Sequence, residues 1–231
     1  MTKSSKVIWF ALIVLLGWGL YLPFKKEYRV VADYVLPALS QIIPIESYFL
    51  NSVSYKRKIH QYSQLIDRNK NYDIVLLGDS HIEFFDRNHN GLWLNLGISN
   101  DTTEGLIKRL GSSNGFSAKS VYLMIGYNDL RYRSPSKVIL NFKKIISLLK
   151  KTGIDKVYVF SILPVQSQRK FINSNILSIN IQLKQLSTIM SFEYLNIHGI
   201  FYQKGGMDLS LSYDGVHLNS AGYKRLYGYI Q

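Results

Sequence analysis

Residues 74–81 read IVLLGDSH, an apolar run that ends at a glycine and is followed by three polar residues. A short continuous run of aliphatic residues is typical of a strand that is buried on both faces of a sheet. The polar residues after Gly78 then lie at the carboxyl end of that strand, where a helix is expected to begin. This segment is therefore predicted to be a central strand that places Asp79 and Ser80 at one edge of a sheet.

The rest of the chain after this strand alternates between short apolar runs and helical periodicity. Further strands are predicted at 92–96, 121–125, 157–163 and 192–197, and helices at about 102–112, at 136–152, at 171–190 and from Ser220. Such alternation predicts a parallel sheet covered on both faces, in which ligands bind beyond the carboxyl ends of the strands. The predicted fold class is α/β, with three layers, α/β/α, around a five-stranded parallel sheet.

Residues 7–24, VIWFALIVLLGWGLYLPF, carry no charge and lie between lysines on both sides. As a helix they reach about 27 Å, close to the roughly 30 Å hydrocarbon core of a bilayer. We expect an N-terminal transmembrane helix that is retained as a single-pass anchor. A cleaved signal peptide is the alternative, but the apolar run is long for one and lacks a small-x-small cleavage site.

The chain is predicted to have three parts. Residues 1–28 form the membrane anchor, residues 29–70 a linker with an amphipathic helix at 54–66, and residues 71–231 the α/β domain. The helix is predicted because Tyr55 and three further apolar or aromatic residues recur at helical spacing.

Composition limits the classes of function. There are 28 Lys and Arg against 15 Asp and Glu, a net charge of +13, which is compatible with nucleic acid, anionic lipid or acidic polysaccharide as partners. The charge is spread along the chain without a nucleic-acid-binding motif, so nucleic acid is not expected as a partner. The chain has no cysteine, which excludes disulfides and a cysteine nucleophile. His89 and His198 lack partners at ligand spacing, so no metal site is predicted, and no cofactor.

Two polar segments carry residue types used in nucleophilic catalysis. Ser80 follows the first strand and would be a nucleophile if a base took its proton, although Asp79 or Ser80 capping a helix explains the same residues. Asp214 and His217, three apart after the last strand, would place a carboxylate against one imidazole nitrogen and leave the other to accept a proton. A loop turn at Asp214 with a surface histidine is the alternative.

Two further segments contain candidate oxyanion donors. Asn128 follows the third strand, where its amide would donate to a developing oxyanion or would simply form a turn. In residues 95–102, NLGISNDT, Asp101 or Thr102 is expected to cap the next helix, and a backbone N–H in this turn is a further candidate donor.

From about Tyr55 to its end, the chain resembles the SGNH (GDSL-type) hydrolases, and most of all the branch with platelet-activating-factor acetylhydrolase-like enzymes and bacterial sugar acetylesterases. The resemblance is carried by four blocks in order: IVLLGDSH (74–81), LNLGISNDTTEGLIKRL (94–110), VYLMIGYNDL (121–130) and DGVHLN (214–219). It implies the flavodoxin-like SGNH hydrolase fold over 71–231.

The resemblance also implies residue roles. Ser80 is then the nucleophile, His217 the general base and later acid, and Asp214 its orienting carboxylate. The implied oxyanion hole combines the N–H of Ser80, the N–H of Asn100 and the side chain of Asn128.

The chain departs from the family pattern at two positions. Asn100 stands where the family usually has glycine; it keeps the N–H donor and tolerates left-handed backbone angles, but narrows the pocket. His81 stands where many relatives carry an apolar residue, and we expect it to be structural or to line the pocket.

By resemblance, the expected activity is hydrolysis of a small-molecule or glycan ester, with a short acyl group, acetyl above all, removed from a cell-envelope carbohydrate. The domain is then expected outside the cytoplasmic (inner) membrane. The alternatives are an O-acetyltransferase, a lysophospholipase or thioesterase with the same triad, and a catalytically silent envelope-binding module. Nothing in the sequence specifies an oligomeric state.

Overall fold

The computed structural model describes residues 45–85, 92–112, 115–166 and 171–230. The anchor predicted at 7–24 lies outside these residues, as does the first part of the predicted linker. In the part of the chain that is described, no helix is both long enough and apolar enough to span a bilayer.

Five parallel strands form the central sheet, in the order β2-β1-β3-β4-β5. They are β1 (Asn71–Gly78), β2 (Trp93–Gly97), β3 (Ser117–Met124), β4 (Lys156–Phe160) and β5 (Glu193–Leu195). The predicted five-stranded parallel sheet is thus confirmed. A short antiparallel pair that was not predicted, β6 (Tyr202–Gln203) and β7 (Gly206–Met207), lies apart from this sheet.

Helices cover both faces of the sheet. The helices of the described residues are α1 (Ile45–Leu50), α2 (Val53–Leu65), α3 (Ser80–Glu83), α4 (Thr103–Ser112), α5 (Pro135–Lys151), α6 (Ile172–Met190) and α7 (Ser220–Tyr227). Val75 and Leu77 of β1 are buried with apolar residues of α4, α5 and α6. Ile74 and Leu76 are buried on the other face with residues of α3 and α7. Because successive strand residues point to opposite faces, a run that is apolar throughout requires both faces to be covered.

The fourth strand ends earlier than the predicted 157–163. The side chain of Asn180 accepts a hydrogen bond from the Ile162 N–H (2.8 Å) and donates one to the Ile162 carbonyl (2.9 Å). The Ser161 hydroxyl accepts from the N–H groups of Ile197 and His198. At Ile162, the Asn180 side chain thus takes the place of strand-to-strand bonds, although Ile162 and Leu163 are apolar and buried.

The helix predicted at 54–66 is α2, and it is capped by the Ser52 side chain. It packs on the sheet domain: Tyr55 is buried in a cluster with Leu50 and Ile98, and the Tyr62 hydroxyl donates to the carbonyl of Gly97. Helices α1 and α2 therefore contact the loop that follows β2.

Candidate active site

The carboxyl ends of three strands meet at one edge of the sheet. Gly78, at the end of β1, is in register with Gly97 of β2 and Met124 of β3. A Cβ on Gly78 would lie 2.0 Å from the Met124 carbonyl oxygen, and one on Gly97 would lie 2.2 Å from the Glu83 nitrogen. Only glycine permits these approaches, which bring the loops after the three strands together.

Ser80 is the first residue of the one-turn helix α3. The side chain of Asp79 caps this helix by accepting a hydrogen bond from the His81 N–H over 3.1 Å. The predicted capping role therefore belongs to Asp79, and it leaves the Ser80 side chain at the carboxyl edge of the sheet. Ser80 is only 7% exposed.

Asp214 and His217 are joined directly. The Nδ1 atom of His217 lies 2.9 Å from Oδ2 of Asp214. The other carboxylate oxygen accepts hydrogen bonds from the N–H groups of Val216 (2.9 Å) and His217 (2.8 Å). The turn at Asp214 and the pairing with His217 thus coexist, so the two interpretations of this segment do not exclude each other.

The electrostatics of this pair follow from its contacts. Burial acts to raise the pKa of the Asp214 carboxyl, but the hydrogen bonds from His217 and from the Val216 N–H outweigh it and hold that pKa well below its usual range. An ionised carboxylate only accepts hydrogen bonds, so Nδ1 of His217 is the donor in the pair. In the neutral imidazole, Nε2 then carries the lone pair that is able to accept a proton.

His217 lies against the helix that begins at Ser80. Its ring centroid is 6.0 Å from that of His81 and 6.1 Å from that of Phe84. Within the ranges that the structure describes, no hydrogen bond joins the Ser80 hydroxyl to His217. Hydrogen bonds between catalytic groups are often long or poorly aligned in the free enzyme and tighten only when substrate is bound.

The two candidate oxyanion asparagines lie on neighbouring loops. Asn100 has φ of 62°, a left-handed conformation that asparagine tolerates better than most residues. Asn128 is buried, and its Nδ2 donates to the Asp101 carbonyl over 3.0 Å. An amide nitrogen has two hydrogens, so one remains to donate to another acceptor.

The supports of these two loops were not found from the sequence. Asp101 accepts hydrogen bonds from Tyr55 and from Nε of Arg109, both over 2.9 Å. On the next loop, Asp129 accepts from Thr103 and is paired with Arg133. Burial raises the pKa of Asp129 to about 6, against the opposing effects of Arg133 and Thr103. The sequence feature that could have indicated these supports is a pair of opposite charges at each loop. Asp101 and Arg109 are eight residues apart, and Asp129 and Arg133 are four apart.

His81 has more contacts than a pocket-lining residue needs. It is 4% exposed, with Nδ1 3.2 Å from Oδ1 of Asp79 and Nε2 2.9 Å from the carbonyl of Val216. The second contact connects α3 to the loop that carries His217. Among the described residues, no group of three or more metal-ligating side chains is positioned to hold a metal ion.

The layered parallel sheet, with a serine and a histidine–aspartate pair at its carboxyl edge, is an arrangement of the serine hydrolase class. A sequence model of the GDSL-like Lipase/Acylhydrolase family matches residues 77–225, well over half of the chain. The chain belongs to this family, and it is an SGNH-type carboxylic ester hydrolase. The resemblance seen in the four sequence blocks is thus confirmed.

Solved structures with the same fold include three bacterial proteins. A Bacteroides fragilis protein assigned as an acylhydrolase has a TM-score of 0.68 at 21% identity, covering 76% of this chain and 93% of its own. A Streptococcus pneumonia protein assigned as a platelet activating factor has a TM-score of 0.66 at 22% identity, covering 76% and 92%. An acetylxylan esterase from Geobacillus stearothermophilus has a TM-score of 0.54 at 13% identity, covering 67% and 90%. A search of curated proteins gave no match.

Proposed function

We propose that this protein is a serine esterase with the triad Ser80, His217 and Asp214, and that it removes short acyl groups, acetyl above all, from a carbohydrate of the cell envelope. The observation that carries the proposal is the hydrogen-bonded pair of His217 and Asp214 beside the helix that begins with Ser80. A paired imidazole beside a helix that begins with a serine is suited to activate that hydroxyl.

In the proposed first step, Nε2 of His217 takes the proton from the Ser80 hydroxyl while Oγ attacks the ester carbonyl carbon. The tetrahedral intermediate collapses by breaking the bond to the alcohol oxygen, which leaves with the proton held by His217. Asp214 keeps the imidazole in the required tautomer and stabilises its positive charge.

In the proposed second step, a water molecule gives a proton to His217 and attacks the acyl group on Ser80. The bond between the acyl carbon and Oγ breaks, Oγ regains the proton from His217, and the free acid is released. The reaction needs no redox change and no co-reactant besides water.

The proposed oxyanion hole combines the N–H of Ser80, the N–H of Asn100 and the side-chain amide of Asn128. The free N–H of Asn128 supports its role, because the other hydrogen is already bonded to Asp101. One such donor typically contributes about 2.7–4 kcal/mol to lowering the barrier. The side chain of Asn100, at a position where the family usually has glycine, narrows the pocket beside the acyl group and so favours a short acyl group.

The proposed substrate and location are supported by a structure with the same fold, by the apolar N-terminal segment and by the net charge. One of the structures with this fold is, by its name, an acetylxylan esterase, which supports an acetylated glycan as the substrate class. The uncharged segment at 7–24 supports a single-pass anchor in the cytoplasmic membrane, with the catalytic domain outside. The net charge of +13 favours binding to an acidic glycan or an anionic membrane face.

Labelling with a fluorophosphonate, which reacts with activated serines, tests the nucleophile. The full chain is purified in detergent and compared with Ser80→Ala, His217→Ala and a control, Ser117→Ala, at an exposed serine of the opposite sheet edge. We expect wild type and the control to label, Ser80→Ala not to label, and His217→Ala to label far more slowly. Equal labelling of Ser80→Ala and wild type would overturn the assignment, and no labelling with no ester turnover would indicate a silent binding module.

An ester panel tests the acyl group and the acceptor. We expect turnover of p-nitrophenyl acetate to exceed that of the butyrate and octanoate, and free acetate to be released from an acetylated glycan. A preference for long acyl chains would favour a lysophospholipase or thioesterase instead. Transfer of acetyl to an added glycan, without free acetate, would favour an acetyltransferase.

A further inference from the structure

His81 is a buried histidine whose two ring nitrogens both face oxygen atoms. Nδ1 faces the Asp79 carboxylate over 3.2 Å, and Nε2 faces the Val216 carbonyl over 2.9 Å. The same carboxylate oxygen also accepts the backbone N–H of His81, so it acts as an acceptor toward this residue.

The number of protons in this arrangement follows from the donors it requires. A carbonyl oxygen and an ionised carboxylate only accept hydrogen bonds, whereas a neutral imidazole has one N–H. Either neutral tautomer of His81 would therefore place a nitrogen lone pair against an oxygen lone pair. Both contacts are hydrogen bonds when the ring carries two protons, and the resulting imidazolium is then paired with Asp79.

The groups around His81 favour the charged ring. Burial lowers its pKa, but the hydrogen bond and charge of Asp79, the Val216 carbonyl and the charge of Asp214 outweigh burial, and the pKa of His81 is raised above its usual value. The nearby His217 ring lies 6.0 Å away, between centroids. From α7, the Tyr223 hydroxyl donates to the His81 carbonyl, and burial and the charge of Asp79 raise the pKa of that phenol, which stays neutral.

We propose that His81 is a positioning residue whose imidazolium form holds the peptide between Val216 and His217, and so fixes the catalytic imidazole over Ser80. The proposal rests on the role assigned to His217 above. The carbonyl that accepts from Nε2 of His81 belongs to that peptide, and the same ring is tied to the residue before the nucleophile. One charged ring thus connects the two segments that carry Ser80 and His217.

The sign of the resulting pH dependence follows from linkage. A histidine whose folded-state pKa is raised contributes its stabilisation fully below about pH 6.5 and loses it as the pH rises through the folded-state value. Loss of the proton removes one of the two hydrogen bonds and leaves the His217 loop less constrained. Esterase activity is therefore expected to decline on the alkaline side as His81 deprotonates.

The proton count is measured by nitrogen-detected NMR of the histidine rings in the full-length Ser80→Ala protein, with the His81 signals assigned by comparison with His81→Gln. The chain has only 5 histidines, which makes assignment practical. We expect both nitrogens of His81 to carry protons at pH 7, with a midpoint above 6.5. A singly protonated, neutral His81 at pH 7 would overturn the proposal, whatever the enzyme's substrate.

The positioning role is tested by the pH profile of kcat/KM with p-nitrophenyl acetate for wild type, His81→Gln and a control, His60→Gln, at an exposed histidine. Glutamine donates a hydrogen bond but does not titrate. We expect His81→Gln to remain within about tenfold of wild type at pH 7 and to lose the alkaline decline, while the control keeps the wild-type profile. An alkaline decline at the same pH in His81→Gln would refute the role.

A variant without a donor separates positioning from substrate binding. His81→Leu is expected to lower kcat at every pH with little change in KM, since the His217 loop is no longer held. A change in KM alone would instead make His81 a binding residue and contradict the proposal. Failure of the esterase assignment itself is recognised separately, because wild type would then not label with the fluorophosphonate.

Discussion

The hydroxyl of Tyr55 donates a hydrogen bond to the buried carboxylate of Asp101 over 2.9 Å, and the backbone carbonyl of that same aspartate accepts the side-chain amide of Asn128. A helix that precedes the sheet is therefore connected, through one residue, to a candidate oxyanion donor. Glu46 of α1 reinforces the connection by accepting from the Thr102 hydroxyl and pairing with Arg133. Helices α1 and α2 thus support the proposed active site.

Tyr55→Phe tests this support. The change removes one hydrogen bond to a buried carboxylate, so we expect the free energy of unfolding to fall by about 1–3 kcal/mol. Urea denaturation followed by circular dichroism measures it, with Tyr213→Phe, at a tyrosine that is 72% exposed, as the control. Equal stability of Tyr55→Phe and wild type would show that the Asp101 carboxylate does not depend on this bond.

Asn128→Ala tests the oxyanion donor. We expect kcat for p-nitrophenyl acetate to fall by about 10²–10³ with a small change in KM, because the lost hydrogen bond strengthens as charge develops on the carbonyl oxygen. Asn69→Ala, at an exposed turn, is the control. The melting temperature of each variant shows whether the fold is retained. A fall in kcat of less than about tenfold would remove Asn128 from the oxyanion hole.

Asn100→Gly tests the acyl pocket. Glycine adopts the left-handed angle found at this position without strain, so the backbone and its N–H are expected to stay in place. The loss of the side chain should raise turnover of p-nitrophenyl butyrate relative to the acetate. Asn100→Val tests the backbone instead of the pocket. A β-branched residue is strained at this left-handed angle, so this variant is expected to lower activity toward both esters. An unchanged butyrate-to-acetate ratio in Asn100→Gly would mean that Asn100 does not limit the acyl group.

The sequence was sufficient for the parts of the structure that depend on local pattern. The apolar run at 74–77 and the glycine after it predict a buried strand and the place where polar residues collect at its end. The two parallel strands in register beside it follow the same logic. The pairing of Asp214 with His217 also depends on local spacing, since three residues separate them.

Contacts between distant residues could not be predicted in the same way. Tyr55 and Asp101 are 46 positions apart, and His81 and Val216 are 135 apart. Each contact depends on how a loop lies over the sheet, which neither hydrophobic periodicity nor turn chemistry specifies. The early end of β4 also depends on a contact between separate elements. Asn180 of α6 bonds the backbone of Ile162 in place of a neighbouring strand.

Asp214→Asn tests the orienting carboxylate through both stability and activity. The folded-state pKa of this aspartate is lowered, so its stabilising effect is fully present above the unfolded value of about 3.9 and is lost as the pH falls through the folded-state value. Wild type should therefore melt at a higher temperature than Asp214→Asn at pH 6, and the two melting temperatures should converge in acid.

The same variant tests activity. Asparagine would favour the wrong tautomer of His217, so kcat at neutral pH is expected to fall by about 10³–10⁴. Circular dichroism melts from pH 2 to 7 and ester turnover measure the two effects, with Asp155→Asn at an exposed aspartate as the control. A melting difference that does not change with pH would contradict an ionised Asp214 carboxylate held by these hydrogen bonds, and unchanged turnover would remove Asp214 from the triad.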